Sequence, residues 1–521
     1  MTTPASDSRL RLADLLAALS VVTDLGHGRP PEDAMRACLL ATRLADRLGL
    51  SAKDRSAVYY TSLLRYVGCT AYAHEEAALF GGDEIAARTA VSTLDLANPR
   101  EALSFWFSGI ATDRFPMQRA RLIAMGLPRA RKAVKDMAVA NCEVGAGMAR
   151  RLGLEEAIQQ ALLQVYERWD GKGEPRGLAG EELALPLRIA QVATQAVIFD
   201  GLGGPRAALN MVHQRSGTAL DPAVSAVFLQ HGPALLAELA ECDAWETVVA
   251  AEPFPRRTIS DARLDDVARA FADMVDLKLP FMRGHSSGVA ELAEAAARSL
   301  RLPENEVTIV RRSALFHDLG RVGIPNGVWE KPGPLSASEW EQVRLHPYHT
   351  ERILARSPAL APLAGPAGMH HERPDGSGYH RQCRGPAIPL AARILAAADV
   401  FQAMTQERPY RAALAPAAAA EQLAAEAQRG RLDGEAVRAV LAAAGHRRTR
   451  SRTSWPAGLS DREVEVLRLI ARGASYQGIA QHLVISPRTA AHHVQHIYNK
   501  IGVSTRAAAT MFAMEHDLLA L

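Results

Sequence analysis

An internal repeat constrains this chain more than any other feature. Residues Tyr166 to Ile189 read YERWDGKGEPRGLAGEELALPLRI, and His371 to Ile394 read HERPDGSGYHRQCRGPAIPLAARI, an alignment without a gap. Further on, RSGTALDPAV (Arg215–Val224) echoes RGRLDGEAV (Arg429–Val437), and upstream LLRYVG (Leu63–Gly68) stands where the second stretch has LFHDLG (Leu315–Gly320). Self-similarity on this scale means one structural unit used twice. We expect residues 1–255 and 256–445 to be two copies of one domain.

That domain reads as helical. The chain is 48% hydrophobic but only 5% aromatic, with alanine and leucine abundant. These residues lose little rotamer freedom in a helix. Asp265 to Val275 and Val289 to Leu300 carry apolar residues at three- and four-residue spacing. Ser336 predicts an N-cap, with Glu339 three residues on completing a capping box. Asp375–Gly378 (DGSG) marks a long loop.

Net charge is +3 and says little, but residues 446–458 (HRRTRSRTSWPAG) are strongly basic and read as a linker. Such a stretch serves equally well as a solubilising tether or a phosphate contact. The five cysteines are scattered, with no CxxC and no disulfide-like spacing. That pattern fits a reducing compartment. There is no basic stretch leading into an apolar core at the N-terminus, and no uninterrupted apolar run long enough to span a bilayer. A cytoplasmic protein is expected.

The second copy concentrates candidate metal ligands: His285, the pair His317–Asp318, His346, the pair His370–His371, and Asp399. Neighbours on a helix point about 100° apart, so an adjacent pair does not readily chelate one ion by itself. Such pairs suit two ions side by side, or one pocket shared with other helices. Imidazole with carboxylate suits iron, manganese, zinc or nickel rather than calcium. A lone histidine on a helix is usually just packed or solvated. The first copy is an internal control for the set of seven. It has Arg65–Tyr66 in place of His317–Asp318, Val165–Tyr166 in place of His370–His371, and Thr194 in place of Asp399, with Cys142 the expected counterpart of His346. The frame does not demand these ligands.

Three stretches together, His317–Asp318 running into Arg321, HHERPDGSGYH at His370–His380, and RILAAADVFQAMTQERPYR at Arg393–Arg411, resemble the HD-GYP family of metal-dependent phosphohydrolases over about Asp265 to Gly445. The resemblance implies an all-α bundle and hydrolysis of cyclic di-GMP. It implies one metal on His285, His317, Asp318 and Asp399. A second would lie on Asp318, His346, His370 and His371, with Asp318 bridging. Two ions about 3.5–4 Å apart can share a hydroxide and make it a nucleophile at neutral pH. Asp318 and Arg321 would act in catalysis, Arg321 standing where the family usually has lysine; its fork grips phosphate, but it is bulkier. The family's GYP reads Gly378–Tyr379–His380 here. Gln402 and Phe281 stand where three-metal members carry carboxylates, so two ions are expected, iron or manganese.

Leu459 to Leu521 reads as four short helices. Ser460 with Glu463, Ser475, and Ser486 with Pro487 predict three helix starts; Gly473 and Gly502 predict two ends. On the third helix, Pro487 to Ile501, an apolar stripe of Val494, Ile497 and Ile501 opposes a polar face of Arg488, Thr489, His492, His493, Gln495, Asn499 and Lys500. A polar face of this kind is what a major-groove helix needs, although an ordinary solvated face looks alike. The whole segment closely resembles the LuxR-type helix-turn-helix. That resemblance implies DNA binding through Arg488, Thr489, His492, Gln495 and Lys500, with Lys500 on phosphate, and binding as a dimer.

The sequence therefore predicts an all-α chain of two tandem HD-type bundles and a four-helix LuxR-type domain. The first bundle would be a scaffold or dimerisation unit, the second a two-metal phosphodiesterase for cyclic di-GMP or a related nucleotide, and the last a DNA-binding module for transcription regulation. The alternative is a nucleotide sensor that controls the DNA-binding domain with little or no turnover.

Overall fold

The structure is a computed structural model and describes residues 10–110, 116–445 and 455–519. Most of the basic linker, residues 446–454, lies outside them. The described residues form helices and turns with isolated bridges and no strand, as the composition leads one to expect. The chain falls into two compact units, Met1–Leu264 and Asp265–Leu521.

Each unit holds one copy of the repeated frame, and single contacts fix the register between copies. Asp24 Oδ2 accepts the Ala34 amide at 3.2 Å, and Asp276 Oδ2 accepts the Ser286 amide at 2.9 Å. Glu167 accepts the amides of Arg176 and Leu178, while Glu372 accepts those of Arg381, Gln382 and Cys383. The peptide bonds before Pro175 and before His380, at matching places in the two loops, are both cis.

The most informative pair involves glycine. A Cβ on Gly320 would lie 2.1 Å from the His346 carbonyl oxygen, and one on Gly68 would lie 1.9 Å from that of Asn141. Only glycine lets backbones approach this closely. The equivalence corrects the expectation for Cys142: the counterpart of His346 is Asn141, one residue earlier. Cys142 is a buried thiol on the neighbouring face of helix Ala130–Arg151.

In the second unit, helix His285–Ser299 packs against Glu304–Phe316, Leu390–Met404 and Gly434–Gly445. Its buried face is Val289, Ala290, Leu292, Ala293, Ala296 and Ala297, mostly small, so neighbouring helices come close. Ser336 caps Ala337–Ala355 with the expected capping box to Glu339. In the first unit Pro222–Glu241 has the length and composition of a membrane span, but its Val224, Phe228, Leu235, Leu236 and Leu239 are buried in the fold.

The C-terminal segment forms the four expected helices, Asp461–Ala471, Tyr476–Leu483, Pro487–Ile501 and Arg506–Glu515. Ser460, Ser475 and Ser486 each accept an amide of the first turn, and Gly473 and Gly502 take positive φ just past their helices. The core is Val464, Leu467, Ile470, Ile479, Val494 and Ile497. Each such side chain, fully buried, stabilises by roughly 1.5–3 kcal/mol.

Glu463 ties this core's rim together. It accepts from the Ser460 amide at 2.7 Å and from Lys500 Nζ at 2.7 Å, and it pairs with His496 Nδ1 at 2.8 Å. Burial alone would raise its carboxyl, but Lys500, the Ser460 amide and His496 outweigh that and bring it down to about 2. A depressed carboxylate adds stability above its unfolded value, and that stability is lost as pH falls through the folded value. Glu463→Gln is expected to destabilise the C-terminal helices at pH 7 by about 1–2 kcal/mol. The gap between the two proteins closes as pH falls from about 4.5 toward 2. Hydrogen exchange of these helices against pH measures it; a gap constant with pH refutes the account.

Candidate metal centre

Five helices and the turns that follow them deliver the seven predicted ligands. His285 opens helix His285–Ser299, and His317 and Asp318 follow helix Glu304–Phe316. His346 lies within Ala337–Ala355, His370 and His371 follow Ala361–Gly368, and Asp399 lies within Leu390–Met404. All are buried except His371, which is partly exposed. The Gly320 contact and two hydrogen bonds at 3.0 Å, Gly320 N–H to Thr350 Oγ1 and Thr350 Oγ1–H to the His317 carbonyl, fix the His317–Asp318 turn to the helix that bears His346.

The ligand atoms converge. One group is His285, His317 and Asp399, another is His346, His370 and His371, and within each the candidate atoms lie within 4.8 Å of one another. Asp318 stands between the groups. Its Oδ2 is 3.1 Å from His317 Nε2 and 4.0 Å from His285 Nε2. Its Oδ1 is 3.7 Å from both His346 Nε2 and His370 Nε2.

Backbone contacts aim the imidazoles. Nδ1 of His317, His346 and His370 each faces a carbonyl at 2.6 Å, those of Ala314, Val343 and Ala367. His285 Nδ1 faces Gln406 Oε1 at 2.9 Å. A carbonyl only accepts, so the proton is on Nδ1 and the Nε2 lone pair points inward. His346 Nε2 and His370 Nε2 then oppose each other at 3.2 Å as two lone pairs. His317 Nε2 and Asp318 Oδ2 are enclosed without a hydrogen-bond partner among the described residues, and Asp318 Oδ1 is met by the Arg321 guanidinium. A cation resolves all of these conflicts at once, so the donor set fits a metal centre.

The electrostatics agree. Burial holds His346 and His370 well below the ordinary histidine range, and His371 down to about 3, so all three are neutral. Burial would lift Asp318, but Arg321 and His317 hold it well below the carboxylate range; His285 does the same for Asp399. His317 is the exception. Burial, which lowers it, is outweighed by the Asp318 and Asp399 carboxylates, and it is raised.

Arg321 Nε pairs with Asp318 Oδ1 at 2.8 Å, and its guanidinium stacks 4.9 Å from the Trp329 ring centre. Three neighbours escaped the sequence reading. Gln406 orients His285, Trp329 packs on Arg321 and His346, and Arg408 brings a second guanidinium whose burial and proximity to Arg321 push it down to about 10. The run QERPYR carried a signal for Arg408, a charge held near a loop by Pro409. Gln402 packs on Gly288, where a glycine Cβ would meet its Nε2 at 2.5 Å. Phe281 lies against Arg408, so neither position adds a carboxylate. His380 pairs with Glu351 at 3.3 Å, away from the ligands.

On the C-terminal segment, Arg488, Thr489, His492 and Gln495 lie exposed along one face of helix Pro487–Ile501. Lys500 is turned instead onto Glu463 and the Gly458 carbonyl. Arg283, two residues before His285, donates to the Ala471 carbonyl at the end of the first helix of that segment.

Comparison with known proteins agrees with both halves of this description. The family described as HD domain matches residues 131–224 and 269–436, and the bacterial regulatory proteins of the luxR family match 457–513. The 3′3′-cGAMP-specific phosphodiesterase 3 of Vibrio cholerae is 32% identical over 406 residues, 77% of this chain and 88% of the relative. The cyclic di-GMP phosphodiesterase response regulator RpfG of Xanthomonas campestris is 42% identical over 156 residues, 29% of this chain and 41% of the relative. The crystal structure of the cyclic GMP-AMP specific phosphodiesterase V-cGAP3 of V. cholerae superposes with a TM-score of 0.59 at 28% identity, covering 85% of this chain and 99% of that one. The chain belongs to the HD-domain metal-dependent phosphohydrolases of the HD-GYP type, with a LuxR-type domain at its C-terminal end.

Proposed function

We propose that the second copy, residues 256–445, is a two-metal phosphodiesterase for a cyclic dinucleotide, cyclic di-GMP or a close relative such as 3′3′-cGAMP. The observation that carries this reading is Asp318, whose two oxygens face two separate groups of ligands. His285, His317 and Asp399 would hold one ion and His346, His370 and His371 the other, with Asp318 shared; iron or manganese suits the nitrogen and oxygen donors. Bound there, the ions supply a hydroxide nucleophile and polarise the phosphate. Arg321 and Arg408 hold positive charge at the rim, where a phosphodiester is drawn in and charge developing on phosphorus is stabilised. Trp329 and Tyr379 wall the site, Tyr379 with its ring centre 4.8 Å from that of His371.

The C-terminal domain, 459–521, would bind DNA as a dimer through Arg488, Thr489, His492 and Gln495, with Lys500 reaching phosphate by leaving Glu463. The first copy, 1–255, would be a non-catalytic partner. Five free cysteines support residence in a reducing cytoplasm. A second reading, a nucleotide sensor that turns over little, is favoured by the direct grip of Arg321 on Asp318.

Manganese- or iron-loaded protein incubated with cyclic di-GMP and with 3′3′-cGAMP is expected to yield linear dinucleotide. Binding without product from loaded protein establishes the sensor reading. Asp318→Ala is expected to lower kcat by roughly a thousand-fold or more. Elemental analysis should find two ions per chain, falling toward one in His371→Ala; an unchanged content means the ligand sets are misassigned. His346, His370 and His371 are held neutral by burial, so metal binding near pH 6 should release no more than two protons, read by calorimetry in buffers of different ionisation enthalpy. Release of three or more contradicts the buried, neutral histidines. A chain ending at Gly445 should lose DNA binding together with its salt dependence; retained binding removes the helix-turn-helix from the account.

A further inference from the structure

The first copy has a polar centre of its own where the second has its metal ligands. Arg65 and Tyr66 take the places of His317 and Asp318, Asn141 that of His346, and Tyr166 that of His371. The Tyr66 ring is flanked on several sides. The guanidinium carbons of Arg29 and Arg65 lie 4.5 and 5.3 Å from its centre, and the His27 ring lies 4.4 Å away. Arg29 donates to the Tyr66 hydroxyl at 3.1 Å, and Asn141 donates to the Tyr166 hydroxyl at 2.9 Å.

The two copies differ in the sign of what they leave unmatched. In the second, the enclosed atoms without hydrogen-bond partners include both Asp318 oxygens, acceptors whose charge the one Arg321 does not exhaust and that call for a further cation. In the first, among the described residues, Arg65 Nε and NH1 and Arg29 Nε are N–H donors on permanent cations, and they outnumber the unmatched acceptors nearby, Asp24 Oδ1 and Asn141 Oδ1. Enclosed donors of that kind call for an anion, because an unpaired buried charge is costly.

The surrounding groups do not meet that demand. Arg88 is matched by Glu76 and by the carbonyls of Gly26 and Cys69. Burial raises Asp24 well above the usual carboxylate range, and Asp33, pushed up to about 6, stays mostly ionised at neutral pH and offsets part of the Arg29 charge but not that of Arg65. Burial keeps His27 neutral, and its Nδ1 is engaged by the Thr23 carbonyl at 3.0 Å. Two guanidinium groups about one tyrosine hydroxyl are thus left with N–H groups directed at no protein acceptor. Planar guanidinium forks match phosphate oxygens, and a hydroxyl between them adds a donor.

We propose that the first copy is a metal-independent binding site for a phosphate-bearing anion, a nucleotide phosphodiester, held by Arg65 and Arg29 with Tyr66 between them. Positive charge is kept at the same place in both copies, carried by side chains in one and by metal ions in the other. With a guanidinium and a phenol where the second copy has its His–Asp pair, and asparagine where it has His346, the site binds without hydrolysing. The ligand class rests on the phosphodiesterase reading; the existence of an anion site does not.

The test uses the full chain stripped of metal with a chelator. Binding of labelled cyclic di-GMP and 3′3′-cGAMP is measured by equilibrium dialysis, and thermal stabilisation by millimolar inorganic phosphate is measured in parallel. We expect metal-free binding that weakens roughly ten-fold or more in Arg65→Gln and holds in Arg321→Gln. Without ligand, Arg65→Gln should melt no lower than the native chain, because relief of a costly buried charge offsets the loss of its contact with Tyr66. Phosphate should raise the melting temperature of the native chain and not that of the variant. Equal response to phosphate and to the dinucleotides supports an anion site while assigning it to free phosphate. The proposal fails if no probe binds without metal, if Arg65→Gln binds as the native chain does, or if binding is lost through Arg321 instead. Because no turnover is read, failure here is separate from failure of the hydrolase assay.

Discussion

The contact between residue 320 and the carbonyl of His346 governs the geometry of the second copy. With a Cβ position only 2.1 Å from that oxygen, no side chain fits, and the turn after helix Glu304–Phe316 lies directly on the helix that carries His346. His317 and Asp318 precede that glycine by three and two residues. Their side chains are therefore delivered to the imidazole of His346 by backbone packing, before any metal takes part. The same contact recurs between Gly68 and Asn141, where the ligands are gone. The frame is thus a packing solution in its own right, and the chemistry is an occupant of it.

That separation explains why the polar centres of the two copies diverge in sign. Enclosing two carboxylates and five imidazoles takes them out of water. Two unit charges 4 Å apart interact by about 4 kcal/mol at an effective dielectric constant of 20. One Arg321 against Asp318 and Asp399 therefore offsets only part of the desolvation cost, several kcal/mol per ion. A raised His317 offsets some of the rest, and the charge still unmet is negative, which suits a cation. In the first copy the carboxylates at these places are replaced by Tyr66 and Thr194, Arg65 stands in the place of His317 with Arg29 beside the same ring, and guanidinium N–H groups are left without acceptors.

Much of this was legible in the sequence. The repeat gave the frame, the serine caps and terminal glycines gave the C-terminal helices, and residue type gave the seven candidate ligands whose side chains the structure brings together. What escaped was what depends on which atoms face each other across elements distant in sequence. Asn141 was missed because Cys142 looked more like a ligand, whereas the backbone contact, invisible in sequence, sets the register. Gln406, Trp329 and Arg408 reach the site from loops and a short helix, where no periodicity announces a direction. Lys500 reads as a free cation on a polar face, yet the capping glutamate of another helix lies within 2.7 Å of it. A capping residue and a phosphate contact compete for one ammonium group, and the amino-acid pattern shows both without showing that they meet.

The same limit bears on how the two domains of one unit could communicate. Arg283 donates to Ala471, and Arg269 lies 3.9 Å from Asp517, so the helices around His285 touch the LuxR-type domain. A ligand shifts an equilibrium only by its differential affinity for the two states. Breaking one charged hydrogen bond and one exposed ion pair provides roughly 1–3 kcal/mol, a coupling of tens of fold, and any such coupling is reciprocal.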